Sequence, residues 1–407
     1  MNYTDEPRRA SASRGSRSGR VAWLLAGALV AFMFVLAACG GDDDDGDGGG
    51  EALSELGEGE GEVNLVAWAG YVEDGSTDPK VDWVTDFEKQ TGCKVNVKIG
   101  NTSDEMVQLM RTGQYDGVSA SGDATGRLVE GGDVDPVNVD LIPNYEDVFD
   151  ALKDQPYNTF DGQNYGVPHG RGSNLLQYDP DDVKPAPKSW DVVFDKADQY
   201  SGKVTAYDNP IYIADAALYL REHNPELGIT DPYELDQEQF DAAIELLKQQ
   251  REHVGEYWSD YTKTIQAFSA GDVSVGTTWQ VITNLLNAEG EPEKNVLPEE
   301  GATGWSDTWM ISSEAEHPNC MYMWMDHIIS PEANAAVAEW FGEAPANEKS
   351  CKLTADAEHC DIYHADDEKF FDQIEYWKTP VSDCGDDRGD ECKTYDEWVQ
   401  GWTEVKG

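Results

Sequence analysis

Trp68 and Tyr71 stand three positions apart, and Trp305-Ser306-Asp307 sets an indole two positions from a carboxylate. Together with Trp279, these are residue types that hold a cation without transforming it. An indole or phenol face attracts an ammonium through its quadrupole, and a carboxylate fixes it by a charge-assisted hydrogen bond. For each tryptophan alone, core packing is the commoner use. Their shared placement argues for a binding wall: Trp68 and Tyr71 follow one apolar run, Trp279 ends a second and Trp305 opens an extended third. Enzyme signatures are missing by contrast. The chain has no Gly-x-Ser-x-Gly, no Gly-x-x-x-x-Gly-Lys and no His-Glu-x-x-His, the patterns of a nucleophile elbow, a phosphate-cradling loop and a zinc helix. The seven histidines show no metal-ligand spacing beyond loose pairs such as His359 and His364. The chain reads as a binder with no catalytic residue, no metal and no cofactor. A secreted hydrolase using a carboxylate pair is the alternative from another class.

Such side chains need a frame. Residues 63–68 read as a strand, followed by a helix over 79–90 with Val81, Val84 and Phe87 on one face and Gly92 at its end. A strand over 94–99, a helix from Ser103 to Gly113, a short strand over 115–118 and a helix near 125–130 come next. Strands separated by single helices make βαβ units around a mostly parallel sheet. Residues 165–178 read as an extended crossing into a second α/β set. That set holds a helix from Ser189, a strand over 203–207 and helices over 211–221, 236–253 and 260–270. A strand over 273–279 and a helix to Ala288 complete it. A second crossing, 303–311, leads to helices over 319–329 and 331–341. The expected class is α/β, with two lobes and a cleft between them. Lobe one spans 63–167 and 308–350, and lobe two spans 168–307 and 351–407. In open α/β sheets, ligands bind outside the carboxyl ends of the strands, where Trp68 and Trp279 fall.

The N-terminal segment speaks to address. Five arginines (Arg8, Arg9, Arg14, Arg17, Arg20) precede an uncharged apolar run, 21–38, which ends in Leu36-Ala37-Ala38 before Cys39. A basic region, an apolar region and a small-residue cleavage site make a secretory signal over 1–38. About 18 apolar residues is also the lower limit for a membrane span, but a span needs no small-small-Cys ending. Leu-Ala-Ala-Cys-Gly resembles the bacterial lipobox, which implies lipidation of Cys39 and a lipid anchor on the outer face of the membrane. Residues 39–62 follow as an acidic, glycine-rich tether too poor in apolar residues to fold. The formal charge is −51, which repels nucleic acid and anionic headgroups and gathers cations. Salt adaptation or solubility is the commoner reason for such a charge, which favours a cationic ligand only weakly. Six cysteines follow Cys39 (Cys93, Cys320, Cys351, Cys360, Cys384 and Cys392), an even set that reads as disulfides in an exported chain. The short spacings suggest Cys351–Cys360 and Cys384–Cys392, leaving Cys93–Cys320. Sequence alone does not choose among the possible connectivities.

Several stretches resemble the spermidine/putrescine-binding receptors of bacterial ABC importers. They are Val66-Ala67-Trp68-Ala69-Gly70-Tyr71-Val72, Asp86 to Gly92, Tyr115-Asp116, Tyr165 to Pro168, Gly271-Asp272-Val273, Thr278-Trp279 and Gly304 to Asp307. The resemblance implies the two-lobed periplasmic-binding-protein type II fold, with the ligand in the cleft between lobes. It also implies delivery to ABC permease subunits, no role in nucleic-acid binding and a monomeric state. Carried over position by position, Trp68, Tyr71, Trp279 and Trp305 supply aromatic contacts, Ser121 a hydroxyl and Asp307 an amine partner. Asp208 and Asn209 fall where the family places an acidic pair, and Asp123 stands at an aromatic position beside Ser121. Where the family often carries Glu, this chain has Gly70. His169 and Arg171 occupy the crossing where aromatics are usual. An Arg171 facing the cleft would suit a ligand with one ammonium and one carboxylate. Facing away, it leaves the polyamine expectation intact.

Overall fold

Strand and helix alternate from residue 62 onward in the computed structural model, which describes residue 50 and residues 52–407. The expected signal over 1–38, Cys39 and the upstream part of the tether lie outside the described residues. The first segment runs β1 (Glu62–Ala67), α1 (Val84–Thr91), β2 (Lys94–Ile99), α2 (Ser103–Met110), β3 (Gly117–Ala120) and α3 (Gly122–Glu130). Short strands β4 (Val134–Asp135), β5 (Thr159–Phe160) and β6 (Gln163–Asn164) lead to β7 (Val167–Ser173) and β8 (Leu175–Tyr178). Next come β9 (Val204–Tyr207), α4 (Ile213–His223), α5 (Gln237–Arg251), β10 (Val254–Trp258), α6 (Tyr261–Ser269), β11 (Val275–Thr278), α7 (Gln280–Glu289) and β12 (Lys294–Val296). The chain continues through β13 (Ala302–Ser312), α8 (Pro318–Ile328), α9 (Pro331–Phe341) and β14 (Ala344–Pro345). Single helical turns α10 (His359–Ile362) and α11 (Glu368–Phe371), β15 (Ile374–Tyr376) and α12 (Tyr395–Lys406) complete it.

Two main sheets result. The larger has the path β14-β7-β13-β3-β1-β2, with β15 and β4 also paired to β13. The smaller has the order β10-β9-β11-β8-β12. Within the larger sheet, β1 runs parallel to β2 and β3, while β13 runs antiparallel to β3 and β7. Within the smaller, β9 is parallel to β10 and β11, and β8 is antiparallel to β11 and β12. The chain passes from one sheet to the other at Asn174 and returns through residues 297–301. The crossings are tied together: Asn174 N donates to Thr303 O at 2.9 Å and Asn174 Nδ2 donates to Thr303 Oγ1 at 2.7 Å.

Buried clusters form against both sheets, and one of these clusters also takes in Ala302, Trp305, Ala344 and Ile374 of the larger sheet. Around the larger sheet, Phe87 meets Trp324 edge-on at 5.2 Å, and Trp324 meets Trp309 at 5.6 Å. Around the smaller, α5 and α12 bring Phe240, Leu247, Trp398 and Val405 into one buried cluster. α5 begins with a reciprocal cap between Asp236 and Gln239, which satisfies two otherwise orphaned backbone donors.

Some expectations are corrected. The first helix begins at Val84 rather than 79, because Gly75 N bonds Val81 O and Trp83 N bonds Glu73 O, closing residues 73–83 into a loop. The helix expected from Ser189 is two 3₁₀ turns, Trp190–Val192 and Ala197–Tyr200. There Ser189 Oγ donates to Glu300 and Trp190 Nε1 donates to Gly301 O, so tertiary bonds to the crossing displace a regular helix. Strand β10 was not expected, since Gly255 and Glu256 mask its pattern. Residues 53–61, expected within the tether, are docked instead. Leu53 packs against the core of the larger sheet, and Asn138 Nδ2 donates to Leu53 O at 3.0 Å. Gly57 N donates to Asn319 Oδ1. Glu60 accepts from Asn319 N and Cys320 N, free donors in the first turn of α8.

The disulfides are Cys93–Cys320, Cys351–Cys360 and Cys384–Cys392. A Cβ on Gly59 would meet Cys93 Sγ at 2.6 Å, so the docked segment lies directly on the long-range bridge. Among the described residues, no helix is long and apolar enough to cross a membrane.

Candidate functional site

The carboxyl ends of strands from both sheets converge on one cavity of about 260 Å³. From the larger sheet, Trp68 follows β1, Gly100 to Thr102 follow β2, Ser121 follows β3 and Trp377 follows β15. From the smaller, Tyr207 ends β9, Ser259 to Tyr261 follow β10 and Trp279 follows β11. Strand β13 crosses the floor and contributes Trp305 and Asp307, which share a face because a strand's side chains alternate. Phe341, the last residue of α9, closes one side.

The rings form a continuous wall. Tyr207 and Trp377 stack at 5.6 Å with an 18° tilt, and Tyr207 lies 5.8 Å from Trp279. Trp279 meets Trp305 at 6.2 Å, and Trp305 meets Phe341 edge-on at 5.9 Å. Trp279 Nε1 donates to Asn174 Oδ1 at 2.9 Å, which ties this ring to the crossing between sheets. Among the described residues, no Lys, Arg or His lines the cavity. A wall of π faces without a competing base attracts organic cations.

Charge comes from two carboxylates. Asp307 is 3% exposed, accepts from Tyr71 Oη at 2.7 Å and accepts from Ser121 Oγ. Burial pushes its carboxyl up to about 6, against the opposing effect of those two donors. Among the described residues no cation pairs with it, so it is available to an incoming ammonium. Asp260 is exposed at the start of α6, where its side chain accepts from Thr262 N at 2.9 Å.

Of the residues expected from sequence, Trp68, Ser121, Trp279, Trp305 and Asp307 line the cavity. Tyr71 is fully buried behind Asp307. Asp123 is also fully buried, accepts from Ser103 Oγ at 3.0 Å and is pushed up to about 7, chiefly by burial. Asp208 and Asn209 do not line it. Asp208 accepts from Trp402 Nε1 and pairs with Lys406 Nζ at 2.9 Å, which fastens α12. Asn209 Oδ1 accepts from Ile211 N at 3.0 Å and caps the turn before α4. Arg171 is 1% exposed and lies 3.6 Å over the Phe371 ring. Its guanidinium donates to Ala365 O at 2.9 Å and to Tyr376 Oη at 3.4 Å, outside the cavity.

Sequence reasoning missed Tyr207, Asp260, Tyr261, Phe341 and Trp377. Tyr207 had a usable signal, because it ends an expected strand. Trp377 had none, being brought in by the pairing of β15 with β13.

Residues 82–360 match the family model described as bacterial extracellular solute-binding protein. The spermidine/putrescine-binding periplasmic protein of Salmonella typhimurium is 24% identical over 295 residues, covering 70% of this chain and 78% of that one. The putrescine/agmatine-binding protein of Pseudomonas aeruginosa is 23% identical over 286 residues, 66% of this chain and 75% of that one. Among solved structures, the spermidine/putrescine ABC transporter substrate-binding protein PotD of Streptococcus pneumoniae superposes with a TM-score of 0.65 at 17% identity. That match covers 85% of this chain and 97% of the other. The fold is therefore the two-lobed α/β fold of periplasmic binding proteins.

Proposed function

We propose, because this chain belongs to the bacterial extracellular solute-binding protein family, that it captures a small cationic amine of the polyamine class, such as putrescine or spermidine. The cleft then hands the amine to ABC permease subunits. The observation that carries this reading is the cavity itself, a ring of π faces over one buried carboxylate with no base in its lining. The names of the relatives agree with it. In this reading Trp68, Trp279, Trp305, Tyr207 and Trp377 flank the methylene chain, and Asp307 and Ser121 meet one ammonium. Asp260, at the mouth, suits a second ammonium, and Tyr71 holds Asp307 from behind. Arg171 lies outside the cavity, which favours the polyamine reading over a zwitterionic ligand. In this reading the lobes divide at the crossings between the two sheets, Asn174 and residues 297–301. Export as a monomer anchored through a lipid on Cys39 is the accompanying proposal.

The test is a thermal-shift screen of the mature chain against putrescine, spermidine, neutral amino acids and sugars. A ligand that binds only the folded state raises the melting point by mass action. Diamines and spermidine should shift it and sugars should not. A shift with sugars alone overturns the reading.

A further inference from the structure

Behind Asp307 lies a second carboxyl that lines no part of the cavity. Glu343 follows α9 and is fully buried. Its Oε2 is 3.0 Å from Tyr71 Oη, the same hydroxyl that is 2.7 Å from Asp307 Oδ2. Its Oε1 is 3.4 Å from His169 Nε2. A Cβ on Gly170 would meet the Glu343 carboxyl at 2.5 Å, so the strand is bare where the carboxyl needs room.

The protonation of this cluster follows from counting hydrogens. Trp309 Nε1 lies 2.9 Å from His169 Nδ1, and an indole nitrogen only donates. His169 Nδ1 therefore carries no hydrogen, the ring is neutral and its one N–H sits on Nε2, facing Glu343. Burial holds His169 far below its usual range in the same sense. The other titratable groups around the cluster supply no cation. His359 Nε2 meets the backbone oxygen of Glu343, Tyr363 lies nearby, and Asp123 and Tyr207 lie toward Asp307. Two buried carboxyls thus share one tyrosine hydroxyl and, among the described residues, no positive charge. The hydroxyl has one hydrogen and cannot donate to both. If both carboxyls were ionised, one short contact would set oxygen against oxygen beside two uncompensated charges, an arrangement that holds a proton. One proton on the pair gives every Tyr71 contact a donor. It belongs on Glu343, the more deeply buried carboxyl, whose other oxygen has no hydrogen-bond partner, whereas Asp307 also accepts from Ser121 Oγ and faces the cavity. Glu343 donates to Tyr71, Tyr71 donates to Asp307, Ser121 donates to Asp307 and His169 faces the remaining Glu343 oxygen.

We propose that Glu343 is a positioning residue held as a neutral carboxylic acid, which turns the Tyr71 hydroxyl toward Asp307 and so keeps the negative charge on the carboxylate that faces the ligand. The proposal rests on the receptor reading for its ligand, while the state of Glu343 can be read without one.

The experiment titrates putrescine by calorimetry from pH 5 to pH 8 into the full mature chain and two variants. Glu343→Gln keeps a neutral donor toward Tyr71. Its affinity should stay within about threefold of wild type, and the midpoint of its pH profile within about 0.3 unit. Glu343→Leu removes the donor and should weaken binding about tenfold or more, the scale of a lost hydrogen bond. A Glu343→Gln midpoint that falls by about one unit or more would show that a neighbouring negative charge had been removed, and overturns the proposal. Equal loss in both variants overturns it too. Should the variants not fold, wild-type protein carrying ¹³C at its glutamate carboxyls decides the matter. One glutamate resonance should remain at its protonated position from pH 6 to pH 8. Glu293, pushed up to about 7 by burial, titrates through that window and is told apart by doing so. No resonance remaining protonated at pH 8 overturns the proposal. Absence of putrescine binding to wild type removes the polyamine reading alone, because the carbon resonance still decides Glu343.

Discussion

Tyr71 Oη lies 2.7 Å from Asp307 Oδ2, a contact between residues 236 positions apart that joins the loop after β1 to the middle of β13. Both partners are buried, and Ser121 donates to the other Asp307 oxygen. The carboxylate is thereby fixed before any ligand arrives. Little side-chain freedom remains to be lost when a cation docks, which is the advantage of a preorganised site.

Asp307→Asn tests this arrangement. The amide preserves the shape of the side chain and removes its charge. The affinity for putrescine should fall by about 2 kcal/mol or more, the scale for a broken buried charge pair, with the melting point of the free protein maintained or raised. Calorimetry and thermal melts measure the two effects. Unchanged affinity would take Asp307 out of the site.

The stacked pair Tyr207–Trp377 yields a second expectation. Trp377→Leu keeps apolar bulk but removes the π face, so each ammonium it serves should lose about 0.5–2 kcal/mol of cation–π attraction. Intrinsic fluorescence reports the ligand independently, because four tryptophans line the cavity. A wild-type spectrum unmoved by saturating ligand would count against binding at this wall.

Asp123 offers a pH signature unconnected with the ligand. Its folded-state value is raised to about 7 and one of its oxygens lacks a partner. A carboxyl raised on folding favours the folded state below its unfolded value, near 4, and that contribution disappears as pH rises through about 7. Asp123→Asn should therefore match wild type at pH 4 and exceed it by about 2–4 kcal/mol at pH 8. Urea unfolding at the two pH values checks the sign, and a less stable variant at pH 8 contradicts it.

The bridge between Cys93 and Cys320 spans 227 positions, and removing such a link costs about 2–5 kcal/mol. In the Cys93→Ser, Cys320→Ser protein, the docked segment should also loosen, since Gly59 lies on the bridge and Glu60 on Cys320 N. Hydrogen exchange over residues 53–61 should speed up more than exchange in α5. Equal protection would mean the segment is held by Leu53 and Asn138 alone.

Local patterns carried much of this to the reader of the sequence. The strand ends and crossings brought Trp68, Trp279, Trp305 and Asp307 into view, since each depends on its own strand, while Ser121 came only from the family resemblance; all five line one cavity. Asp208 and Asn209 were illegible for the opposite reason. What occupies Asp208 is Lys406, 198 positions away, and no local pattern announces that pair. Glu343, in Gly342-Glu343-Ala344 after a helix, looks like an ordinary solvated turn. Only the packing of β14 on β7 buries it. Ser189 was misread because Glu300 and Gly301 claim its segment.

The docking of residues 53–61 bears on how the molecule can be handled. A flexible arm would let a body tumble about its attachment and expose every side in turn. Here residues 53–61 are stitched to the body of the molecule, at Asn138, Asn319 and Cys320. Anything joined upstream of Leu53, whether a dye, a bead or a surface, is joined to that side of the molecule. Nine unremarkable residues therefore encode a direction, and a truncation that begins at Val63 discards it.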